Sequence, residues 1–402
     1  MGILISGASI SGPVLAYWLT RYGFDVTVVE RAPALRKTGG HAIDLFRPAM
    51  EITERMGVLD RVNELATRND RMTIHRMPGD RAVDVDLSKL FAATSSRHAE
   101  IMRDDLSEIY YDAGRDDVEY LFDDSVTAIS PDGDVTFEKA PPRRFDLVVG
   151  ADGLHSNVRR LTFGDEAALS TYIGAYLAVL SVPKSAAPDG QNVVYASPGH
   201  LAAIYTVKHL PDARAVFLFK RTEPLEYHHR DAERQKAFLD TEFRSMAPEV
   251  DTWLDELDHT PSFYFDSVTQ LHMDSWSRGR VTLVGDAGYC PGPAVGGSTT
   301  LAVVGAYTLA GELARAGGDH VRAFAAYEQA MAEPVRRSKA LALRAAKTLV
   351  PDSRAGVWAL AYGAQAFSRL PAWLGNAIAR ANPGGVRVFD SMPVADYPTP
   401  VR

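Results

Sequence analysis

The residues with the clearest chemical potential lie at the start of the chain. Gly7-Ala8-Ser9-Ile10-Ser11-Gly12 follows the apolar run Gly2–Ser6, and Glu30 ends a second apolar run at Val26–Val29. Between them, residues 13–22 carry apolar side chains at helical spacing and stop at Gly23, giving a strand, turn, helix, strand opening. In a dinucleotide site of this shape the first glycine makes the turn and the next admits backbone to the pyrophosphate. The last lets the helix pack close, with its N-terminus facing the phosphates. An acid ending the second strand accepts hydrogen bonds from a ribose. Serine at position 9 is a small replacement for the middle glycine, and its hydroxyl could itself bond a phosphate oxygen. This motif alone does not choose NAD over FAD.

Two further motifs follow apolar strands and precede helices. One runs Asp146-Leu-Val-Val-Gly150-Ala-Asp152-Gly153-Leu-His155-Ser156-Asn-Val-Arg159. The other runs from Gly285-Asp286 through Tyr289-Cys290-Pro291-Gly292-Pro293 to Gly296-Gly297-Ser298-Thr299-Thr300. An aspartate at a strand's carboxyl end can bind a sugar-chain hydroxyl, and glycines behind it expose N–H groups to a polarised ring.

The three motifs, in this order and spacing, resemble the single-component FAD-dependent aromatic monooxygenases of the p-hydroxybenzoate hydroxylase type. Within them the chain is most similar to tetracycline-inactivating monooxygenases and actinobacterial polyketide or antibiotic hydroxylases, over nearly its whole length. The resemblance implies that Gly7, Ser9, Ile10, Ser11 and Gly12 hold the pyrophosphate. It puts Glu30, with Arg31, at the adenosine ribose and Arg103, in Ile101-Met-Arg-Asp-Asp-Leu106, at the FAD linker. Asp286 matches the aspartate of the ribityl chain, and Pro293, Gly296 and Gly297 the loop lining the flavin ring. Asp152 matches an aspartate linked to FAD and to the reducing nicotinamide. Asp44 and His41, in Gly39-Gly40-His41-Ala-Ile-Asp44, fall in a segment that relatives place near the flavin. The chain departs from the family at Ser9 for glycine, Tyr289 for histidine, and Ser298 and Thr300 for glycine and asparagine.

The implied chemistry is reduction of non-covalently bound FAD by NADH or NADPH. O₂ then adds to give a C4a-hydroperoxide, and an OH equivalent passes to a phenol or enol of a polycyclic, polyketide-like substrate. No second strand–turn–helix fingerprint exists, so the nicotinamide is expected to bind transiently. Two other classes stay open: a redox-neutral cyclisation or dehydration on an FAD protein, and flavin or ligand binding without turnover.

The elements that must position these residues give an α/β fold. An FAD-binding three-layer Rossmann-like domain is expected over 1–73, 97–168 and 271–333. An antiparallel-sheet substrate domain is interleaved at 74–96 and 169–270, and C-terminal helices and a tail fill 334–402. Helices are expected over 48–56, 103–113, 231–246 and 301–316. The region 324–381 should be helical but broken at Pro334, Pro351 and Pro371, with a loop-like tail after it. Strands over 193–195, 201–207, 215–219 and 263–268 carry Tyr205, Phe217, Phe219 and Phe265, whose flat rings suit an aromatic ligand cavity.

Bulk properties narrow the classes. A chain of 402 residues with net charge −8 and no dominant basic run does not suit nucleic acid or an anionic membrane. No apolar stretch is long enough to span a bilayer. One cysteine, Cys290, permits no internal disulfide. The first strand starts almost at Met1, so no targeting segment is expected and the location reads as cytoplasmic. No metal is expected: His228-His229 with Asp231 reads as a solvated helix start, His155 as a helix-start residue, and Cys290 as a buried filler of the flavin loop.

Overall fold

A computed structural model describes the chain except residues 36–39, 77–79, 189, 229–230, 293–296, 372–373, 375–376, 378–386 and 398–402. The sequence candidates Pro293 and Gly296, and His229, lie outside the described residues.

The first strands are Gly2–Ser6 (β1) and Asp25–Glu30 (β2), flanking helix Ser11–Arg21 (α1). Then come Ala42–Phe46 (β3), helices Arg47–Arg55 (α2) and Leu59–Leu65 (α3), and strands Arg71–His75 (β4) and Val83–Asp86 (β5). Helix Leu87–Thr94 (α4) leads to strand His98–Met102 (β6) and helix Arg103–Gly114 (α5). Strands Glu119–Phe122 (β7), Val126–Ile129 (β8), Asp134–Phe137 (β9), Arg143–Arg144 (β10) and Leu147–Gly150 (β11) precede helices Asn157–Phe163 (α6) and Glu166–Leu169 (α7). The long strand Ser170–Pro183 (β12) is followed by Asn192–Ser197 (β13), His200–Thr206 (β14) and Asp212–Lys220 (β15). Helices Ala232–Phe243 (α8) and Pro248–Leu254 (α9) come before strands Phe263–Leu271 (β16), Ser277–Arg278 (β17) and Val281–Leu283 (β18). The remaining described elements are helices: Asp286–Tyr289 (α10), Ser298–Arg315 (α11), His320–Leu349 (α12), Arg354–Arg369 (α13) and Arg387–Asp390 (α14).

Among the described residues, one sheet has the order β17-β18-β11-β1-β2-β7. Its central pairs are parallel, and Ile3, Leu4, Ile5, Leu147, Val148 and Val149 are all fully buried. Consecutive apolar residues are what a strand covered on both faces requires. The small sheet β8–β10 sends Val126, Val135 and Phe137 into the same core. The second large sheet has the order β16-β12-β15-β14-β13-β4-β5. It is antiparallel except where β13 pairs with β4, so the sheet is mixed rather than wholly antiparallel. A two-stranded ladder, β3–β6, belongs to neither.

Two elements differ from the sequence expectation. Pro334 does not break its helix: α12 runs through it. The proline is buried with Met331, Val335 and Ser338 in one stripe of that helix. A mid-helix proline costs about 3 kcal/mol, and burial of several apolar side chains at roughly 1.5–3 kcal/mol each offsets it. The tail, expected as loop, contains α14, which seats the Phe389 ring on Phe46.

Candidate functional site

The loop after β1 is built by steric necessity. Gly7 has φ +107°, and a Cβ there would lie 2.5 Å from the Ala151 carbonyl oxygen. A Cβ on Gly12 would lie 1.9 Å from the Gly7 carbonyl oxygen. Both positions exclude any side chain, which brings α1 tight against β1 and β11. Ile10 precedes α1 without a side-chain cap, and its first turn holds no acid. Its first N–H groups are therefore open to an anion. Ile10 and Ser11 are buried within this turn, while Ser9 is half-buried.

Glu30 braces the loop from β2. Its carboxylate accepts the Ala8 N–H at 2.9 Å and the Ala32 N–H at 2.8 Å. An ionised carboxylate has further acceptor capacity, enough for a ribose hydroxyl. Arg31 beside it is exposed.

Arg103 opens α5 and reaches the same loop, donating from Nη2 to the Ser9 hydroxyl at 3.2 Å. Its backbone N–H donates to the His41 carbonyl at 3.1 Å. Asp286 opens α10 after Gly285, which has φ +68°. Burial pushes its carboxyl upward, while the Arg103 charge and a hydrogen bond with the Cys290 thiol oppose that. The Cys290 thiol is itself driven well up by burial and by Asp286. Arg103 thus stands within electrostatic reach of Asp286, Tyr264 and His41.

Asp152 is occupied by its own helix start. It accepts from the Ser156 hydroxyl, the Asn157 N–H at 3.0 Å, the Val158 N–H at 3.1 Å and the Ser6 hydroxyl at 3.2 Å. Burial raises its pKa and the Ser156 bond opposes the rise. These bonds give Asp152 a structural task, tying α6 to β1. His155, just before α6, bonds Asp266 at 3.1 Å and Glu166 at 3.0 Å. Burial opposes its charge, but the two carboxylates outweigh it and push the imidazole up to about 10.

The family departures in the third motif are largely structural. Tyr289 is fully buried, its hydroxyl 3.2 Å from that of Tyr327 and its ring 4.7 Å from Trp276. A side chain on Gly305 would meet the Tyr289 hydroxyl at 1.9 Å. Thr300 accepts the Phe46 N–H at 3.1 Å, tying α11 to β3. Gly297 lies so close to Phe389 that a Cβ would fall 1.8 Å from its ring. Ser298 begins α11 half-buried.

The ladder β3–β6 carries an acid pair. Asp44 and Glu100 are direct cross-strand partners, where like charges are unfavourable. His98, two residues along from Glu100, meets the Asp44 carboxylate at 2.7 Å, and the Thr67 hydroxyl donates to Glu100. Burial and the Asp44 charge push Glu100 up to about 7.

The aromatic substrate candidates divide by strand parity, and three are corrected. Phe217 and Phe219 are fully buried against Phe243, and Phe217 also meets Trp253. Phe265 packs on Tyr176 and Tyr227 in the same cluster. Successive side chains point to opposite faces, so these three face the helices α8 and α9. The other face carries Arg214 on β15, its cross-strand partner Tyr205 on β14, and Tyr264 and Asp266 on β16. Tyr205 accepts the Ala42 N–H at 2.7 Å. His41 is half-buried, its ring 6.1 Å from that of Tyr264. Loss of hydration, with the Arg103 charge, holds it down at about 4.

Arg214, Tyr264, Asp266, His98 and Glu100 were not singled out from sequence. A charged residue within an apolar strand was the available signal: Ala213-Arg214-Ala215-Val216 and Phe263-Tyr264-Phe265-Asp266 both show it. Asp231 caps α8 through the Arg234 N–H, as a helix-start residue does. Among the described residues no three His, Cys, Asp or Glu side chains are grouped to hold a metal. Nor is any helix long and apolar enough to cross a membrane.

Comparison with known proteins agrees with this geometry. The family model described as "FAD binding domain" matches residues 1–333. An uncharacterized protein of Mycobacterium tuberculosis is 44% identical over 342 residues, covering 81% of this chain and 88% of that protein. A flavin-dependent monooxygenase of Legionella longbeachae is 36% identical over 328 residues, covering 81% of this chain and 83% of its own. The crystal structure of the tetracycline destructase Tet(55) superposes with a TM-score of 0.84 at 32% identity, covering 98% of both chains. The glycine cradle, Glu30 and the Arg103–Asp286 neighbourhood suit a flavin dinucleotide, and the chain belongs to the FAD-binding-domain family of flavin-dependent monooxygenases, with FAD as its cofactor.

Proposed function

We propose that this chain hydroxylates a phenolic or enolic, polycyclic small molecule, using NADH or NADPH and O₂. The observation that supports this most is the convergence around Arg103. Ser9 of the dinucleotide loop accepts its side-chain hydrogen bond, the His41 carbonyl accepts its backbone N–H, and Asp286 of the third motif and Tyr264 of the large sheet lie within its electrostatic reach. Both cofactor-binding loops therefore adjoin one wall of the second sheet. The likeness to the tetracycline destructase Tet(55), over 98% of both chains, favours a tetracycline-like polycyclic substrate.

In this reading Gly7, Ser9, Ile10, Ser11 and Gly12 hold the pyrophosphate, Glu30 and Arg31 the adenosine end, and Arg103 and Asp286 the linker and ribityl chain. Asp44, Gly297 and the loop with Pro293 and Gly296 flank the ring. Asp152 acts on this site through β1 and α6. FAD, when bound, supplies the redox and oxygen chemistry. The chain's residues orient the reactants and keep water out. His41, held neutral, is a hydrogen-bonding wall, and Tyr264 and Tyr205 form the rest of that wall.

The test is turnover under ¹⁸O₂ with a panel of aromatic polyketides, beside anaerobic reduction by NADH and NADPH. One labelled oxygen in the product, with reductant consumed, is the expected outcome. Equal conversion without O₂ or reductant would replace this reading by a redox-neutral cyclisation or dehydration.

A further inference from the structure

The backbone of Gly40–Ala42 is fixed by side chains from three places. The Gly40 N–H donates to the Asp104 carboxylate at 2.8 Å, at the start of α5. The Gly40 carbonyl accepts from Arg214 Nε at 3.1 Å, across 174 residues of sequence. The Ala42 N–H donates to the Tyr205 hydroxyl at 2.7 Å. A side chain at residue 40 would push the Asp104 carboxylate off the Gly40 N–H, since a Cβ there would lie 2.6 Å from it.

Arg214 is unusual for its setting. It is 3% exposed and sits between two alanines of β15. Its Nη1 lies 2.7 Å from Asp212, an ionic contact off the hydrogen-bond direction. The directional bond of this buried cation therefore goes to a backbone carbonyl of another element. Burying a guanidinium costs several kcal/mol unless charge and hydrogen bonds compensate it, so a shape-filling role alone would be served better by an apolar residue. Arg214 and Tyr205 are opposed in register, and the pair grips one peptide segment at both its ends.

We propose that Arg214, with Tyr205, is a positioning residue that latches Gly40–Ala42 to the large sheet and so sets the His41 imidazole in the wall of the flavin site. The latch links the sheet that carries Tyr264 to the segment beside Asp44, making the seat of the flavin ring depend on the second sheet. Among the described residues, Tyr264 from β16 faces the His41 ring, and the Arg103 charge from α5 acts on it. When the latch opens, His41 gains water and its proton affinity returns toward the ordinary value of about 6.5.

The consequence for the flavin rests on the site assignment above, but the latch can be read without it. Holoprotein labelled at histidine ¹³Cε1 is titrated by NMR from pH 8 to 5, with the His41 signal assigned through His41→Gln. In the unaltered protein His41 should stay neutral throughout. In Arg214→Met it should titrate within the window, its midpoint raised by a unit or more. Arg214→Lys, which keeps the charge and a donor, should fall between. Phe217→Leu removes volume from the opposite face and gives the effect of lost stability alone. An unmoved His41 in Arg214→Met, or an equal shift in Phe217→Leu, overturns the proposal. FAD affinity of the Arg214→Met apoprotein, lowered about ten-fold if the site assignment holds, then tells a failed latch from a failed flavin site.

Discussion

Arg103 donates to the Ser9 hydroxyl across 94 residues of sequence, joining the first turn of α5 to the loop after β1. The family departure at position 9 thereby acquires a purpose. A glycine there could not accept this bond, and the serine presets the arginine toward the phosphate loop. The same arginine lies close enough to Asp286 to oppose the upward drift of its buried carboxyl.

Glu30→Ala and Arg103→Ala should each weaken FAD binding by roughly ten-fold or more, since a hydrogen bond to a charged group is worth about 1.5–3 kcal/mol. His228→Ala should leave it unchanged. FAD titration of the apoproteins gives the answer, and three equal affinities would remove these residues from the cofactor site.

Purified protein should be yellow, and acid should release its flavin, because no residue is assigned a tethering role. Asp286→Ala should lose flavin positioning and divert NADPH consumption toward peroxide. Peroxide yield per NADPH, measured with a true substrate, should rise well above that of the unaltered enzyme; an unchanged yield places the ribityl chain elsewhere.

Glu100 gives a pH signature. Its folded-state pKa lies near 7, above the ordinary glutamate value, so the folded state favours the protonated acid. The stability it contributes is intact below about pH 4.3 and lost as pH rises through about 7. Glu100→Gln mimics the protonated form and keeps an acceptor for Thr67. It should therefore stabilise the protein at pH 8, by at most about 4 kcal/mol, with no gain near pH 4. Urea unfolding at the two pH values measures the difference; a gain that does not grow with pH would contradict the acid pair's electrostatics.

Tyr289→Phe should cost about 1 kcal/mol, the worth of one hydrogen bond, with flavin absorbance unchanged. Tyr289→His should cost more, roughly 2–4 kcal/mol, because it leaves space beside Gly305 and Trp276. A changed flavin spectrum in either variant would put Tyr289 at the ring rather than in the core.

Gly7, Gly12 and Glu30 were legible in the sequence because local rules govern them: a turn at positive φ, a close helix–strand approach, and an acid at a strand end. The buried parallel strands were legible from runs such as Ile3-Leu4-Ile5 for the same reason. What the sequence could not give was parity and partnership. Period-2 alternation says that Arg214 and Phe217 face opposite ways, but not which face is covered by helices; only the packing of α8 and α9 on Phe217, and of α8 on Phe219, decided that. The consumption of Asp152 by Ser6, Ser156 and the start of α6, and the burial of Tyr289 against Tyr327, likewise depend on contacts between distant segments. So does the survival of α12 through Pro334, where side-chain burial outweighs a local rule that favours a break. Local geometry fixes the backbone shapes of the cofactor loops. Which side chains share a wall of the site is set by nonlocal packing, whose energy no short stretch of sequence contains.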